Sequence, residues 1–253
     1  MPDTHLRTLV VVPTYNERVT LPEVITRVLS APVDLDLLIV DDNSPDGTGA
    51  LADELAADEP RLSVLHRPEK LGLGPAYRAG LGWGLERDYD LLIEMDADLS
   101  HDPGHLPELV AAARGADLVL GSRYVPGGGT RNWPLPRRMI SYGGNRYVKL
   151  VTGLPVHDAT SGYRVFRRAV LEEIGLAELR SDGYSFQLET VLLAWRAGFA
   201  VDEVPITFVE RRAGVSKISR AIVFEALWRV LLWGLGGPRG PRGRHPRSVV
   251  PEV

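Results

Sequence analysis

Two aspartates one residue apart, Asp96 and Asp98, close the strand-like stretch Leu92-Ile93-Glu94-Met95. Like charges at this spacing repel, and each resists burial unless a positive group neutralises it. A hard divalent cation does so with oxygen ligands, and Mg2+ characteristically takes one or two carboxylates together with substrate phosphate oxygens. The stretch therefore points to a metal–phosphate site at the carboxyl end of a strand, where open α/β sheets bind their ligands.

Other strand ends carry chemistry of matching kinds. Pro13-Thr14-Tyr15-Asn16-Glu17 follows the run Leu9–Val12. Its ring and acid suit a nucleobase, and equally suit a turn that starts a helix. Val40-Asp41-Asp42 ends a second run, where acids hold ribose hydroxyls or a base, or serve as turn and capping residues beside Asn43, Ser44, Pro45 and Gly47. Gly121-Ser122-Arg123 ends a further run with the opposite sign, and arginine there grips a phosphate with paired donors. Arg211, Arg212 and Lys217 flank Gly214 as a second basic cluster, or as a solvated loop face. Acids that hold a cation, with cations aimed at the same crevice, are what the release of a nucleoside diphosphate requires. Gly72, Gly74 and Gly80 match neither the Walker spacing nor a first-strand dinucleotide turn, so a tight turn into a helix is the stronger reading. His101 and His105 lack the spacing of a zinc site, and His101 reads as a loop-lining residue.

These residues need a scaffold that gathers strand ends. Apolar runs at 9–12, 37–40, 62–65, 92–95 and 118–120 alternate with helical patterns, as at Leu21, Val24, Ile25, Val28 and Leu29. Such alternation predicts a mostly parallel central sheet with helices on both faces. Asp102 and Pro103 read as N-cap and first turn of a helix. The second half is less regular, with a helix expected over 137–151, a strand over 161–166, a helix over 185–197, a strand over 204–209 and a last helix over 218–235. Residues 1–237 are expected to form one domain, and the Pro-, Gly- and Arg-rich 238–253 a disordered basic tail.

The absence of cysteine excludes disulfides and cysteine-based zinc sites. The net charge of −4 argues against nucleic acid as a partner. No apolar run reaches the roughly 18–20 residues of a spanning helix, and the first residues carry no secretory pattern, so a cytosolic location is expected. The last helix is nonetheless almost wholly apolar, with Glu225 and Arg229 as an i,i+4 pair. Trp228 and Trp233, followed by Arg239, Arg242, Arg244 and Arg247, suit a membrane surface, while packing within the protein or in a dimer serves the same face.

Taken together, Val12-Pro13-Thr14-Tyr15-Asn16-Glu17, Val40-Asp41-Asp42-Asn43-Ser44-Pro45-Asp46-Gly47-Thr48, Met95-Asp96-Ala97-Asp98-Leu99-Ser100-His101, Gly121-Ser122-Arg123-Tyr124, Thr160-Ser161-Gly162-Tyr163-Arg164 and Gly214-Val215-Ser216-Lys217 resemble the family-2 glycosyltransferases of GT-A fold. More narrowly, they resemble the polyprenol (dolichol) phosphate mannose synthases. The resemblance implies an α/β GT-A fold with a C-terminal amphipathic helix. It implies transfer of mannose from GDP-mannose to a polyprenyl phosphate with inversion; a related lipid-phosphate transferase using UDP-glucose or another NDP-sugar is the alternative. By resemblance, Pro13, Tyr15, Glu17, Val40 and Asp42 hold the nucleoside, and Asp96, Ala97 and Asp98 the diphosphate with Mg2+ or Mn2+ on the two acids. Arg211 and Lys217 match the basic positions over the donor, and Arg123, Arg137 and Ser141 those of the acceptor phosphate. Asp96, Asp98, Arg123, Arg211 and Lys217 are thus the expected catalytic set. Ser100 stands where relatives often carry a glutamine that assists the metal, so water is expected to fill more of the shell. The implied location is peripheral, on the cytoplasmic face of a membrane, with room for a membrane-protein partner.

Overall fold

The structure, a computed structural model, describes residues 6–179, 181–210 and 220–236. In chain order its elements are β1 (Thr8–Thr14), α1 (Leu21–Leu29), β2 (Asp36–Asp41), α2 (Thr48–Ala56), β3 (Leu62–His66), α3 (Leu73–Leu85), β4 (Leu91–Glu94), α4 (Leu106–Ala112), β5 (Leu118–Ser122), β6 (Gly129–Arg131), α5 (Leu135–Thr152), β7 (Arg164–Arg167), α6 (Arg168–Glu173), α7 (Gly183–Arg196), β8 (Val201–Pro205), β9 (Thr207–Val209) and α8 (Arg220–Leu235). Seven strands form one sheet in the order β3-β2-β1-β4-β7-β5-β8, and β6 pairs with β9 in a small second sheet. Every pairing in the main sheet is parallel except those of β7, which runs antiparallel between β4 and β5. The expected mostly parallel, two-sided α/β architecture is the one observed.

The apolar runs are continuous because both sheet faces are covered. Successive side chains of β1 alternate between two cores. Leu9 and Val11 pack with Leu38, Val40, Leu92 and Phe166 under α3, α5 and α7. Val10 and Val12 pack with Leu37, Ile39, Ile93 and Val165 under α1 and α4. Each such side chain, fully buried, contributes about 1.5–3 kcal/mol from its removal from water.

Two glycines show how tightly α3 lies on the sheet. A Cβ on Gly80 would meet Val11 at 2.4 Å, and one on Gly84 would meet Leu92 at 2.6 Å. Gly80 is therefore a packing residue, separate in role from Gly72 and Gly74 at the helix start.

Chain direction explains the gathering of strand ends. From β1 the order runs outward through β2 and β3 on one side, while β4 lies on the other. The crevice at the carboxyl ends of β1 and β4 is a topological switch point. It receives Pro13–Glu17 and Met95–Asp98.

The stretch 204–209, expected as one strand, is divided between two sheets. β8 ends at Pro205 beside β5, and β9 begins at Thr207 beside β6. Proline has no N–H to continue a ladder, so the change of partner falls there. Helix α8 packs against α5 and α7: Val230 is buried, Tyr147 donates to the carbonyl of Leu227 at 3.1 Å, and Gly234 sits against Val151. One side of this helix is thus covered by protein.

Candidate active site

A cleft of about 380 Å³ opens over these strand ends. Pro13, Tyr15, Glu17, Asp42, Asp96, Ala97, Asp98, Arg123 and Arg137 all line it. Val40 does not: it is fully buried in the core beneath, packed against the Cα side of Gly80. Ser141 does not line the cleft either; its hydroxyl accepts from Tyr124 Oη at 2.7 Å. Arg211 and Lys217, with the rest of 211–219, lie outside the described residues, as does the tail 237–253.

At one end, Tyr15 presents its ring with the ammonium of Lys70 3.7 Å from its centre. The two adjacent aspartates divide their work. Asp41 is structural, accepting from Ser44 N, Ser44 Oγ and Thr14 Oγ1 at 3.0, 2.6 and 3.1 Å. Asp42 faces the cleft and takes a 2.5 Å bond from Arg67. Burial raises the Asp42 pKa, with Arg67 acting against it. The left-handed φ of Asn16 (61°) and Asn43 (56°) turns both loops sharply after their strands.

The acidic centre is held by its surroundings. Tyr77, fully buried on α3, donates to Asp96 Oδ1 at 3.3 Å, and its own ionisation is pushed well above the usual phenol range by burial and by Asp96. Asp96 N donates to His101 Nδ1 at 3.1 Å, so the imidazole keeps its proton on Nε2. Burial lowers the His101 pKa despite the nearby acids, and the neutral ring stacks on Tyr163 at 5.0 Å. Asp98 Oδ1 accepts from Ser100 N at 3.0 Å.

The donor set fits a hard metal only in part of its shell. Among the described residues no group of three or more His, Cys, Asp or Glu side chains could hold a metal alone. Ser100 is buried and absent from the cleft lining, and its hydroxyl has no partner among the described residues. Two carboxylates with the remaining positions left to phosphate and water match Mg2+ or Mn2+, which bind this way beside a phosphorylated substrate.

The opposite end is cationic. Arg123, at the end of β5, is clamped by the fully buried Asp158: Nε and a terminal nitrogen donate at 2.7 and 2.6 Å, and the Arg123 backbone N–H adds a third bond at 2.9 Å. Burial raises the Asp158 pKa, but the Arg123 charge and its hydrogen bonds outweigh this and hold it below the carboxylate range. Arg137, in the first turn of α5, pairs with Glu210 just beyond β9. Trp133 lies between them, 5.3 Å from the Arg123 guanidinium and 4.2 Å from that of Arg137, with Phe208 edge-on. This aromatic wall exists because β6 and β9 pair.

Several cleft residues carry no local sequence signal. Lys70, Trp133, the pair Asp182 and Gln187, and Phe208 belong to four separate segments, and only the long-range pairing brings them together. Gly72 and Gly74, read as a turn, have a specific cause. Gly72 has φ +107°, and a Cβ there would lie 2.0 Å from Asp182 Oδ2; Gly74 N donates to Asp182 Oδ1 at 2.6 Å.

A tyrosine-lined end, an acidic centre and an arginine-lined end over a largely parallel sheet belong to a GT-A glycosyltransferase fold. By sequence the chain belongs to Glycosyl transferase family 2, whose profile matches residues 9–175. It is 54% identical over 236 residues to a polyprenol monophosphomannose synthase of Mycolicibacterium smegmatis, covering 91% of this chain and 88% of the relative. It is 52% identical over 230 residues to an undecaprenyl-phosphate mannosyltransferase of Micrococcus luteus, covering 91% and 95%. Among solved structures it is similar to a mannosyltransferase from Pyrobaculum calidifontis in complex with GDP-Man and Mn2+, with TM-score 0.62 and 18% identity over 95% of this chain and 67% of the other. That likeness concerns the fold.

Proposed function

We propose that this chain transfers mannose from GDP-mannose to a polyprenyl phosphate, with inversion at the anomeric carbon. The observation that carries the reading is the order in which the sheet brings its strand ends to one cleft: Asp42 and Tyr15 after β2 and β1, then Asp96 and Asp98 after β4, then Arg123 after β5 with Arg137 beside it. The two relatives at more than 50% identity, named for this lipid class, support it.

Tyr15, Glu17 and Asp42 hold the nucleoside. Asp96 and Asp98 would hold Mg2+ or Mn2+, which when bound would supply positive charge to neutralise the diphosphate. The acceptor is already an anion near neutral pH, so it needs positioning more than a general base. Arg123 and Arg137 steer one of its oxygens to the sugar carbon. That oxygen forms the new C1–O bond as the bond to the diphosphate breaks, and GDP leaves with the electron pair. Arg211 and Lys217 complete the neutralisation of the leaving group.

The lipid reading has its own surface. Among the described residues no helix is long and apolar enough to cross a membrane. Yet Leu135, Met139, Ile140 and Leu150 on α5 are all more than 60% exposed, as are Trp228 and Leu235 on the adjoining α8. Arg138, Arg146 and Lys149 accompany them on α5. Apolar side chains with a basic fringe suit an interfacial position on anionic lipid. The proposed location is peripheral, on the cytoplasmic face.

Incubation with GDP-mannose, Mg2+ and a short polyprenyl phosphate, followed by mass detection of the lipid, tests the assignment. The expected product is the polyprenyl phosphate hexose. Formation of that product from UDP-glucose but not from GDP-mannose would overturn the donor; no lipid product from either would overturn the reaction.

A further inference from the structure

We propose that Asp182 and Gln187, in the opening turns of α7, form the subsite that reads the hydroxyls of the donor hexose. This rests on the sugar-nucleotide reading above and names its sugar contacts. Asp182 caps α7, and its Oδ1 accepts from Gly183 N at 2.7 Å and from Gly74 N at 2.6 Å. The starts of two helices thus fix one carboxylate in the wall of the cleft.

Gln187 supplies the second, independent observation. Its side chain lines the same cleft yet is only 3% exposed. Nε2 donates to Glu94 Oε2 at 2.9 Å, while Oε1 has no partner among the described residues. Whichever way the amide is turned, one end engages Glu94 and the other is left over. Glu94 stands two residues before Asp96, so the unmatched end sits beside the acidic centre. The backbone around it is held firmly. Fully buried Arg164 donates to the carbonyls of Gln187, Ala159 and Ser161 at 2.6, 2.7 and 2.6 Å, and to Thr190 Oγ1 at 2.9 Å.

Chemistry selects the ligand group. A fixed carboxylate repels the diphosphate and the acceptor phosphate alike. Together with an amide that has polar capacity to spare, it suits neutral O–H groups, and in this cleft those belong to the sugar. Sites that hydrogen-bond a substrate hydroxyl discriminate strongly, because an analogue leaves buried groups unmatched.

Calorimetric titration of the full chain with Mn2+, without acceptor, separates the sugar from the nucleotide. Asp182→Asn keeps an acceptor oxygen for the two N–H groups and removes the charge. Gln187→Met keeps the volume, with a thermal melt as the check on folding. In both variants GDP-mannose is expected to bind at least about tenfold more weakly than in the wild type, with GDP binding unchanged. Equal weakening of GDP and GDP-mannose would assign these residues a structural role and overturn the subsite, as would unchanged binding of both. If the wild type instead takes UDP-glucose and UDP, the donor assignment fails, and the same contrast between that pair upholds or overturns the subsite.

Discussion

Replacing Asp158 by asparagine isolates the foundation of the cationic end. Asp158 is fully buried, and the side chain of Arg123 is 7% exposed. The amide would leave the guanidinium without its counter-charge and turn an NH2 group toward donors that now meet oxygen. Breaking one partner of a buried ion pair costs about 3–5 kcal/mol. For a domain of this size each kcal/mol moves the melting temperature by about 2–4 °C, so a fall of about 6–20 °C is expected. Differential scanning calorimetry reads this directly. Acid adds a second arm. A carboxyl whose pKa is depressed by folding gives stability that is complete above its unfolded value, about 4, and is lost as the pH falls through the folded value. The wild type should therefore lose stability more steeply than Asp158→Asn on acidification below about pH 4. The double variant Arg123→Met with Asp158→Leu removes both charges and should recover most of the stability without recovering transfer to the acceptor. A single variant that melts within about 2 °C of the wild type, with acceptor KM unchanged, would refute the reasoning.

At the acidic centre, Asp98→Ala is expected to abolish Mn2+ binding by electron paramagnetic resonance and to lower kcat at least about a hundredfold; a fully active variant would remove the metal role. Chelation by EDTA should suppress transfer, with Mg2+ or Mn2+ restoring it, and activity indifferent to chelators would contradict the donor set. Gly72→Ala should destabilise by about 1–3 kcal/mol, because φ +107° and the 2.0 Å approach of Asp182 both oppose a Cβ; an unchanged chemical denaturation midpoint would count against this. Ile140→Glu combined with Leu232→Glu should reduce co-sedimentation with anionic vesicles while leaving GDP affinity intact, and unaltered sedimentation would remove the apolar faces of α5 and α8 from lipid contact.

Much of the first half was legible because its signals are local. Each parallel strand is a short apolar run, and four of them end in a residue type that marks the site: Tyr15, Asp42, Asp96 and Arg123. What local pattern does not carry is direction. The stretch 161–166 reads as a strand in sequence, yet nothing in it says that the strand formed there, β7, enters the sheet antiparallel. Nor does the stretch 204–209 announce two partners, although Pro205 marks the place where they change. Gly72 and Gly74 looked like a turn for local reasons, while their actual constraint is Asp182, over a hundred positions away. Val40 illustrates the opposite error. It belongs to a motif whose neighbour Asp42 reaches the cleft, but Val40 lies within β2, where both sheet faces are covered, while Asp42 stands beyond the strand's end.

The reversal of β7 is what makes the crevice a two-substrate site. A parallel strand beside β4 would enter at the opposite edge of the sheet and carry its preceding loop there. Because β7 is antiparallel, its amino-terminal residue Arg164 pairs with Glu94 at the carboxyl end of β4. The loop before it, 153–163, therefore arrives at the edge where Asp96 and Arg123 already are. Asp158 and Thr160 come with it and bond to Arg123, while Gly162 passes so close that a Cβ there would stand 3.8 Å from the Asp96 carboxylate. Arg164 then ties the same loop to α7 through Gln187 and Thr190. One inverted strand thus joins Asp96, Arg123 and the wall beside them into a single hydrogen-bonded unit; under the proposed function, this sets an anionic donor and an anionic acceptor against one another with their charges shielded.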